Sequence, residues 1–381
     1  MERLIINFPR RLIFGNGCTG SFIEDFIEMG KKRTFILTTP YIQNTIDKVV
    51  GSFEKSGISV LVDDSIDAEP TIDTFNDLLK AAEEFNADSV VGIGGGSVLD
   101  VAKLVAALFK SDQTINDVIG INLLKQRNLH LTCLPSTSGT GSEVSPNAIL
   151  LDPSDALKKG IVSPFLVPDA SYIDPVLTYS VPPAVTAATG IDAMIHCLEA
   201  YTNKFAHPTM DMFAIKGVKM ISHNLAAAYE NGEDTRAREL VALGSVYGGL
   251  CLGPVNTAAV HALSYPLGGE FHITHGVSNA VLLPPVFRFN LESSVKKHAD
   301  IAVAMGAERG DSELETAGKA LEILDDLYDK CSVPNKISDL GVPRDAIQGL
   351  ADSAMKVTRL LKNNPRPVTR QDALDIYNQA Y

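Results

Sequence analysis

Residues 89–99, SVVGIGGGSVL, decide the fold expected for the first half of the chain. The apolar run at residues 89–93 is typical of a strand that is buried on both faces in a parallel sheet. Three glycines follow at residues 94–96, and a helical apolar pattern begins near Val98. Glycines between a strand and a helix allow backbone N–H groups to approach an anion closely. The stretch therefore predicts a strand, a phosphate-binding turn and a helix.

The same alternation of strands and helices extends on both sides of this stretch. Short apolar runs rich in β-branched residues occur at residues 34–38, 58–62 and 131–134. Residues 72–85 and 98–109 carry apolar side chains at helical spacing, as helices that cover a parallel sheet require. The first half is therefore predicted to be an α/β nucleotide-binding domain with a Rossmann-like parallel sheet.

The composition of the chain changes near Pro182. Beyond it, helix-forming residues dominate, and proline and glycine separate long periodic stretches. A chain of 381 residues also exceeds the size at which one hydrophobic core stops growing. We therefore predict two domains, the α/β domain at residues 1–180 and an all-α domain at residues 181–381.

Composition and charge argue against several classes of partner. The formal net charge is -13, and basic residues gather only in short runs such as residues 31–33, so nucleic acid is not an expected partner. There is no run of about 18 apolar residues that would predict a membrane span, and no apolar segment typical of a secretory signal. The five cysteines are widely spaced without a CxxC pair, which favours reduced thiols. We expect a cytoplasmic protein without a membrane partner.

The glycine turn departs from the usual dinucleotide fingerprint, because Ser97 replaces its last glycine. Taken alone, it is equally well explained as a strand-to-helix connection that needs glycine. A second turn, at residues 136–143, supports the nucleotide interpretation. It follows another apolar strand and offers the hydroxyl groups of Ser136, Thr137 and Thr140 to phosphate, ribose or a carboxamide.

One carboxylate and three imidazoles form a candidate metal site in the second half. Asp192 and His196 lie one helical turn apart, so they project from the same helix face. His261 and His275 would come from a neighbouring helix and the turn beyond it. An isolated aspartate and histidine at this spacing are more often structural, but three imidazoles and a carboxylate suit Fe²⁺ or Zn²⁺. The combination predicts a metal site at these four residues.

In these segments the chain resembles the iron-containing (group III) alcohol dehydrogenases, which share a fold with glycerol dehydrogenase and dehydroquinate synthase. The resemblance spans nearly the whole chain and rests on motifs at residues 94–100, 138–144, 190–201, 275–280 and 364–369. It implies an enzyme that transfers a hydride between a small alcohol or aldehyde and NAD or NADP, with Fe²⁺, or Zn²⁺ as the alternative, polarising the substrate oxygen. It also implies a homodimer or a larger homo-oligomer.

The resemblance assigns roles to individual residues. The family's metal ligands fall on Asp192, His196, His261 and His275. Its nucleotide contacts fall on Gly95, Gly96 and Ser97 for the pyrophosphate, on Ser136, Thr137 and Thr140 beside the adenosine and nicotinamide, and on Lys158 near the cofactor. Lys159 is the alternative at the last position, and a solvated surface pair is the alternative for both lysines.

Two positions depart from the family pattern. Many members have an aspartate after the first strand that binds the adenosine ribose and repels a 2′-phosphate, whereas this chain has Thr39. We therefore predict that NADP is accepted, and leave open whether it is preferred. Tyr265 stands where many members have another histidine, and its usual pKa of about 10 makes it a poor proton shuttle. His272 is a substitute for that role or, as we favour, a loop histidine.

The sequence is compatible with two other functions and with several classes of substrate. A dehydroquinate synthase-like lyase would need a basic pocket, and few arginines and lysines surround the ligand segments. A catalytically silent metal- or nucleotide-binding protein would not need all four ligand positions filled. Short primary alcohols, diols, lactaldehyde-like compounds and hydroxyacids all fit the proposed chemistry.

Overall fold

Residues 89–99 form a strand and the start of a helix in the computed structural model, which describes residues 3–66, 69–154 and 157–381. The strands and helices before residue 182 are, in chain order, β1 Arg11–Phe14, α1 Cys18–Glu28, β2 Arg33–Leu37, α2 Gln43–Lys55, β3 Ser59–Asp63, α3 Ile72–Phe85, β4 Ser89–Gly94, α4 Gly96–Leu108, α5 Ile115–Val118, β5 Gly120–Ile121, β6 His130–Pro135, β7 Asn147–Asp152, β8 Leu157–Val162 and β9 Ala170–Ile173. The strands β5, β8 and β7 form a small separate sheet.

The other six strands form a fully parallel sheet in the order β1-β9-β6-β4-β2-β3. Its side chains alternate between two faces, because successive residues of a strand point in opposite directions. Phe35 and Val90 pack with α3 and α4 on one face, and Ile36 and Val91 pack with phenylalanines of α1 and α2 on the other. Helices cover both faces, which explains why β4 is buried at every position.

The strand order reverses at β2, which pairs with β3 on one side and with β4 on the other. In open parallel sheets, ligands bind beyond the carboxyl ends of the strands at such a reversal. Strand β6 is the next neighbour of β4. The residues that follow β2, β4 and β6 therefore lie side by side where a nucleotide is expected.

Residues 182–381 contain no strand, and their α-helices are named here in chain order. These are α6 Pro183–Thr202, α7 Pro208–Glu230, α8 Thr235–Leu252, α9 Ala259–Phe271, α10 His275–Asn290, α11 Val295–Met305, α12 Glu313–Lys330, α13 Ile347–Ala354, α14 Thr358–Leu361 and α15 Arg370–Gln379. The parallel sheet followed by an all-helical part confirms the predicted fold class. Among the described residues, no helix is both long enough and apolar enough to span a membrane.

The described chain divides into two compact units, here called the sheet unit and the helical unit. The helical unit contains Pro182–Tyr381 together with residues 3–5 and Ser138–Thr140. The sheet unit contains Ile6–Thr137 and Gly141–Val181. The segment Ser138–Thr140 therefore belongs with the helices, although it lies within residues 1–180.

Helices α6, α7 and α8 pack closely within the helical unit. A methyl group added at Gly217 of α7 would lie 2.4 Å from Cys197 Sγ of α6 and 3.2 Å from the carbonyl oxygen of Gly244 of α8. Carbon atoms in favourable contact stand roughly 3.5–4.0 Å from their neighbours, so only glycine fits. This close packing fixes α6, the helix that carries the first two predicted metal ligands.

Candidate metal centre

Helix α6 carries three polar side chains on one buried face. Asp192, His196 and Glu199 are spaced by four and three residues, which places them on the same side of the helix. Their relative exposures are only 2%, 4% and 5%, so all three are withdrawn from water. Buried polar groups are costly unless they have partners. Those partners come from α9 and α10.

Two more histidines approach this face from the neighbouring helices. His261 is the third residue of α9, and His275 is the first residue of α10. Asp192 Oδ1 lies 3.9 Å from His196 Nε2, 3.5 Å from His261 Nε2 and 3.7 Å from His275 Nε2. The ring centroid of His261 is 4.8 Å from that of His196 and 5.3 Å from that of His275. The four side chains singled out in the sequence thus meet around one carboxylate oxygen.

Asp192, His261 and His275 form the tightest part of this cluster, because their ligand atoms all lie within 4.8 Å of one another. His196 reaches the same carboxylate oxygen from the next turn of α6 and stands outside that group of three. Imidazole nitrogens and a carboxylate are donors that suit divalent iron and zinc. The donor set therefore fits a single divalent ion.

The hydrogen bonds of His261 support this fit. Its Nδ1 donates to Glu199 Oε2 at 2.6 Å. Its other ring nitrogen, Nε2, is buried and has no hydrogen-bond partner among the described residues. A neutral imidazole that carries its proton on Nδ1 has a lone pair on Nε2. In that form Nε2 would offer its lone pair next to the Asp192 carboxylate, where a cation shared by the two residues would lie.

Burial and charge shift the pKa values of these groups in different directions. Burial raises the pKa of Asp192, but the neighbouring imidazoles, His196 foremost, outweigh it and hold that pKa well below its usual range. Burial lowers the pKa of His196. Burial also lowers the pKa of His261, yet Glu199 and Asp192 outweigh it and raise that pKa to about 9. Asp192 is therefore ionised at neutral pH.

Two residues of the centre, Glu199 and Asn279, lie outside the set predicted from the sequence. Asn279 Nδ2 donates to Asp192 Oδ1 at 2.6 Å and lies 3.2 Å from His275 Nε2. Helical spacing contained a signal for both, since Glu199 follows His196 by three residues and Asn279 follows His275 by four. Spacing on one helix indicates a shared face, but it does not say which atoms of another helix meet it.

Tyr265 of α9 borders the cluster. Its ring centroid lies 6.2 Å from that of His275, and its hydroxyl hydrogen-bonds with Arg359. Burial raises the pKa of Tyr265, so the hydroxyl stays protonated at neutral pH. His272 is exposed and forms the left-handed end of α9, with a φ of 54°. Of these two candidates for proton transfer, Tyr265 is the one beside the candidate ligands.

Most of the predicted nucleotide-binding residues follow three adjacent strands of the sheet unit. Thr39 comes after β2, Gly95, Gly96 and Ser97 come after or within the turn into α4, and Ser136 and Thr137 come after β6. A methyl group on Gly95 would lie 3.5 Å from Thr137 Oγ1, so the turns after β4 and β6 are neighbours. No side chain caps α4, so its first N–H groups have no side-chain acceptor at the N-cap.

Two further predicted cofactor residues do not directly follow one of these three strands. Thr140 belongs to the segment Ser138–Thr140 of the helical unit. Lys158 lies on β8 and forms an ion pair with Glu69. Its alternative, Lys159, lies 3.6 Å from Asp152. Both lysines therefore have acidic partners within the sheet unit.

Both parts of the chain match models of one protein family. Residues 9–175 match the model described as iron-containing alcohol dehydrogenase. Residues 186–381 match the model described as Fe-containing alcohol dehydrogenase family, C-terminal. The two matches together cover well over half of the chain.

Individual relatives agree with the family models. Long-chain-alcohol dehydrogenase 1 of Geobacillus thermodenitrificans is 37% identical over 382 residues, which cover 99% of this chain and 96% of that protein. A 1,3-propanediol dehydrogenase of Klebsiella pneumoniae is 33% identical over 358 residues, 93% of this chain and 92% of the relative. A crystal structure of a 1,3-propanediol oxidoreductase matches with a TM-score of 0.95 and 32% identity over 100% of both chains. The chain therefore belongs to the iron-containing alcohol dehydrogenase family, and it is an oxidoreductase that acts on alcohols.

Proposed function

We propose that this oxidoreductase transfers a hydride between an alcohol carbon and the nicotinamide of NAD or NADP, and that Asp192, His196, His261 and His275 hold divalent iron, with zinc as the alternative. The observation that carries the proposal is the approach of three imidazole nitrogens to within 3.9 Å of Asp192 Oδ1. The proposed substrates are small alcohols and diols and the corresponding aldehydes.

A divalent ion held by these residues would supply Lewis-acid polarisation of the substrate oxygen. The side chains around it contribute orientation and charge. Asp192 is ionised, and its Oδ1 is held by the amide of Asn279 at 2.6 Å. Since Asp192 is the only carboxylate among the four proposed ligands, a divalent ion held there would retain net positive charge with which to polarise the substrate oxygen.

Tyr265 is proposed to hold a proton beside this centre. Its hydroxyl stays protonated at neutral pH because burial raises its pKa, and Arg359 fixes its position. A protonated phenol donates a hydrogen bond readily but exchanges its proton slowly compared with an imidazole. We therefore assign Tyr265 to hydrogen bonding near the substrate oxygen, and not to proton relay.

The nucleotide is proposed to bind beyond the carboxyl ends of β2, β4 and β6. The uncapped start of α4 supplies backbone N–H groups and the positive end of the helix dipole for the pyrophosphate. Ser136 and Thr137 follow β6 beside this turn, and the Ser136 N–H donates to the Gly94 carbonyl at 2.9 Å. This bond fixes the second turn against the first.

We propose that the enzyme accepts NADP as well as NAD. Thr39 follows β2 at the position where an acid would repel a 2′-phosphate, and a threonine does not repel it. The basic run at residues 31–33 does not add attraction, because Arg33 begins β2 and donates to the Phe85 carbonyl at 2.7 Å. At about 3.3 Å per strand residue, Arg33 and Thr39 are roughly 20 Å apart. We therefore expect the enzyme to accept NADP without strongly preferring it to NAD.

A combined metal and substrate assay tests the proposed function. The purified protein is analysed for metal, stripped with a chelator and reloaded with Fe²⁺ or Zn²⁺. It is then assayed with 1-alkanols of increasing length, 1,3-propanediol and the matching aldehydes, using NAD(H) and NADP(H). We expect about one ion per chain and metal-dependent turnover of at least one substrate. Absence of turnover with every substrate, cofactor and metal would refute the proposal.

We also propose that the protein works as a homodimer or larger assembly in a reducing compartment such as the cytoplasm. All five cysteines are buried free thiols, which suits such a compartment. Strand β1 is an edge of the parallel sheet and exposes the apolar side chains of Leu12 and Phe14. Edges of this kind favour pairing with another chain. Light scattering coupled to size-exclusion chromatography would measure the assembly.

A further inference from the structure

Glu199 uses both of its carboxylate oxygens at the start of α9. Oε2 accepts from the Ala258 N–H at 2.9 Å and from His261 Nδ1 at 2.6 Å, while Oε1 accepts from the Val260 N–H at 2.6 Å. All three bonds connect α6 to a segment about 60 positions later in the chain. A carboxylate with a relative exposure of 5% is costly to bury, and these donors offset that cost.

Two of the three bonds replace a missing helix cap. The N-cap residue of α9 is Ala258, whose side chain cannot accept a hydrogen bond. The first N–H groups of a helix have no partners within the helix itself. Glu199 supplies acceptors for them from α6, and its negative charge also suits the positive end of the helix dipole. The first turn of α9, which contains His261, is thereby tied to α6.

The third bond sets the tautomer and angle of His261. Because Nδ1 is hydrogen-bonded to Glu199, Nε2 is the nitrogen left to bind an ion, and Nε2 lies 3.5 Å from Asp192 Oδ1. A ring free to rotate or to hold its proton on Nε2 would present the wrong atom. A carboxylate behind a histidine ligand is known to orient the ring and to strengthen it as a donor.

We propose that Glu199 is a positioning residue of the metal centre: it is not a ligand, but it holds His261 in the tautomer and orientation that bind the ion. The proposal rests on the proposed function, because it takes His261 to be a ligand. Glu199 therefore strengthens the binding of a divalent ion in addition to stabilising the fold. Loss of such outer partners typically weakens metal binding by about 10- to 100-fold.

The test measures metal affinity directly, with Co²⁺ as the probe. The wild-type chain and Glu199→Gln are stripped of metal and titrated with Co²⁺ against a competing chelator, and the visible absorption of bound Co²⁺ reports the ligand geometry. We expect Glu199→Gln to bind Co²⁺ about 10- to 100-fold more weakly, with an altered spectrum. Affinity and spectrum unchanged from the wild type would overturn the proposal.

Asp174→Asn is the matched control for the loss of a buried carboxylate. Asp174 is similarly buried in the sheet unit, with 3% exposure, and accepts from the Gly17 N–H, the Thr19 N–H and Thr19 Oγ1 at 2.9, 3.0 and 2.6 Å. Its replacement is expected to lower the melting temperature and leave Co²⁺ affinity intact. Equal losses of affinity in both variants would mean that Glu199 acts only through stability.

A second variant separates helix capping from positioning. Glu199→Gln combined with Ala258→Ser gives α9 a cap of its own, but leaves His261 without its carboxylate. We expect part of the melting temperature to return while Co²⁺ binding stays weak. Recovery of full affinity would overturn the proposal, since capping alone would then explain the effect. The variant His261→Ala tests the ligand set separately. If it binds Co²⁺ as tightly as the wild type, His261 is not a ligand and the assigned ligand set is wrong.

Discussion

At the scale of single residues, Thr39 is the position where one substitution should change cofactor choice. We expect Thr39→Asp to lower kcat/KM for NADP by at least about tenfold, because a carboxylate beside a 2′-phosphate costs several kcal/mol. The value for NAD should change little. Steady-state assays with both cofactors measure the ratio.

Thr39→Asn is the control for this prediction, since asparagine has the shape of aspartate without its charge. It should leave the NADP to NAD ratio close to that of the wild type. A similar loss of NADP activity in both variants would point to shape and not to charge. No loss in Thr39→Asp would mean that position 39 does not face the 2′-phosphate.

Glu143 gives a second prediction, which concerns stability and pH. Burial raises the pKa of Glu143 from its usual 4.5 to about 7. The folded protein thus holds this proton more tightly than the unfolded chain, so the ionisable residue destabilises the fold increasingly as pH rises from about 4.5 to 7. We expect Glu143→Gln to gain stability relative to the wild type by up to about 3 kcal/mol between about pH 5 and pH 8.

Urea unfolding of both proteins at the two pH values measures this change. Groups remote from Glu143 titrate alike in the two proteins, so the difference between their free energies of unfolding reports Glu143 together with Lys103 and Cys133, whose pKa values its charge raises. A difference that stays constant with pH would contradict the raised pKa.

The sequence predicted residues of the site unevenly, for physical reasons. The spacing of Asp192 and His196 on one helix predicted their common face, and donor chemistry together with the family resemblance added His261 and His275. The part played by Glu199 depends on the approach of α6 to the start of α9. The spacing of residues within either segment does not predict that these two helices meet. The cofactor-binding residues all remain predictions, and among them Lys158 rests on the resemblance alone.

At the scale of elements, the contact of α7 with α6 and α8 depends on the absence of a side chain at Gly217. We expect Gly217→Ala to destabilise the protein by about 1–3 kcal/mol, because the added methyl group would overlap Cys197 Sγ and force the helices apart. Thermal or chemical unfolding measures the loss.

Gly318→Ala is the matched control. Gly318 lies inside α12 of the same unit, and a methyl group there would have no atom within 4 Å. Alanine favours helix more than glycine, so this variant should be more stable by about 0.5–1 kcal/mol. The same glycine-to-alanine change is therefore expected to lower the free energy of unfolding at Gly217 and to raise it at Gly318. Equal effects at both positions would mean that close helix packing at Gly217 does not matter.

The sequence predicted well those strands and helices whose own residues show a clear apolar run or a helical apolar spacing. The strands β2, β3, β4 and β6 and the helices α3 and α4 coincide closely with the predicted segments. The edge strand β1 and the small sheet of β5, β7 and β8 were not predicted. Strand β1 exists because it pairs with β9, whose partner residues come about 160 positions later, and short strands of this kind carry little periodic signal.

At the scale of the whole molecule, all four candidate ligands belong to the helical unit, so metal removal should destabilise that unit selectively. An ion present at about 1,000 times its Kd contributes about 4 kcal/mol, which corresponds to a fall of roughly 10 °C in melting temperature when it is removed. Differential scanning calorimetry before and after chelation measures the shift. Re-addition of Fe²⁺ should restore it, and an unchanged melting temperature would contradict the ligand set.

The membership of Ser138–Thr140 in the helical unit has a consequence for protein synthesis. The Gly139 carbonyl accepts from Ser245 Oγ at 3.3 Å, and a methyl group at Gly139 would lie 2.8 Å from Thr189 Cβ. Both neighbours leave the ribosome well after Gly139 does. If the sheet unit folds during translation, it does so before the helices that contact residues 138–140 have been made. A gene truncated near codon 181 would therefore encode residues 138–140 without Thr189 and Ser245, which they contact in the full chain.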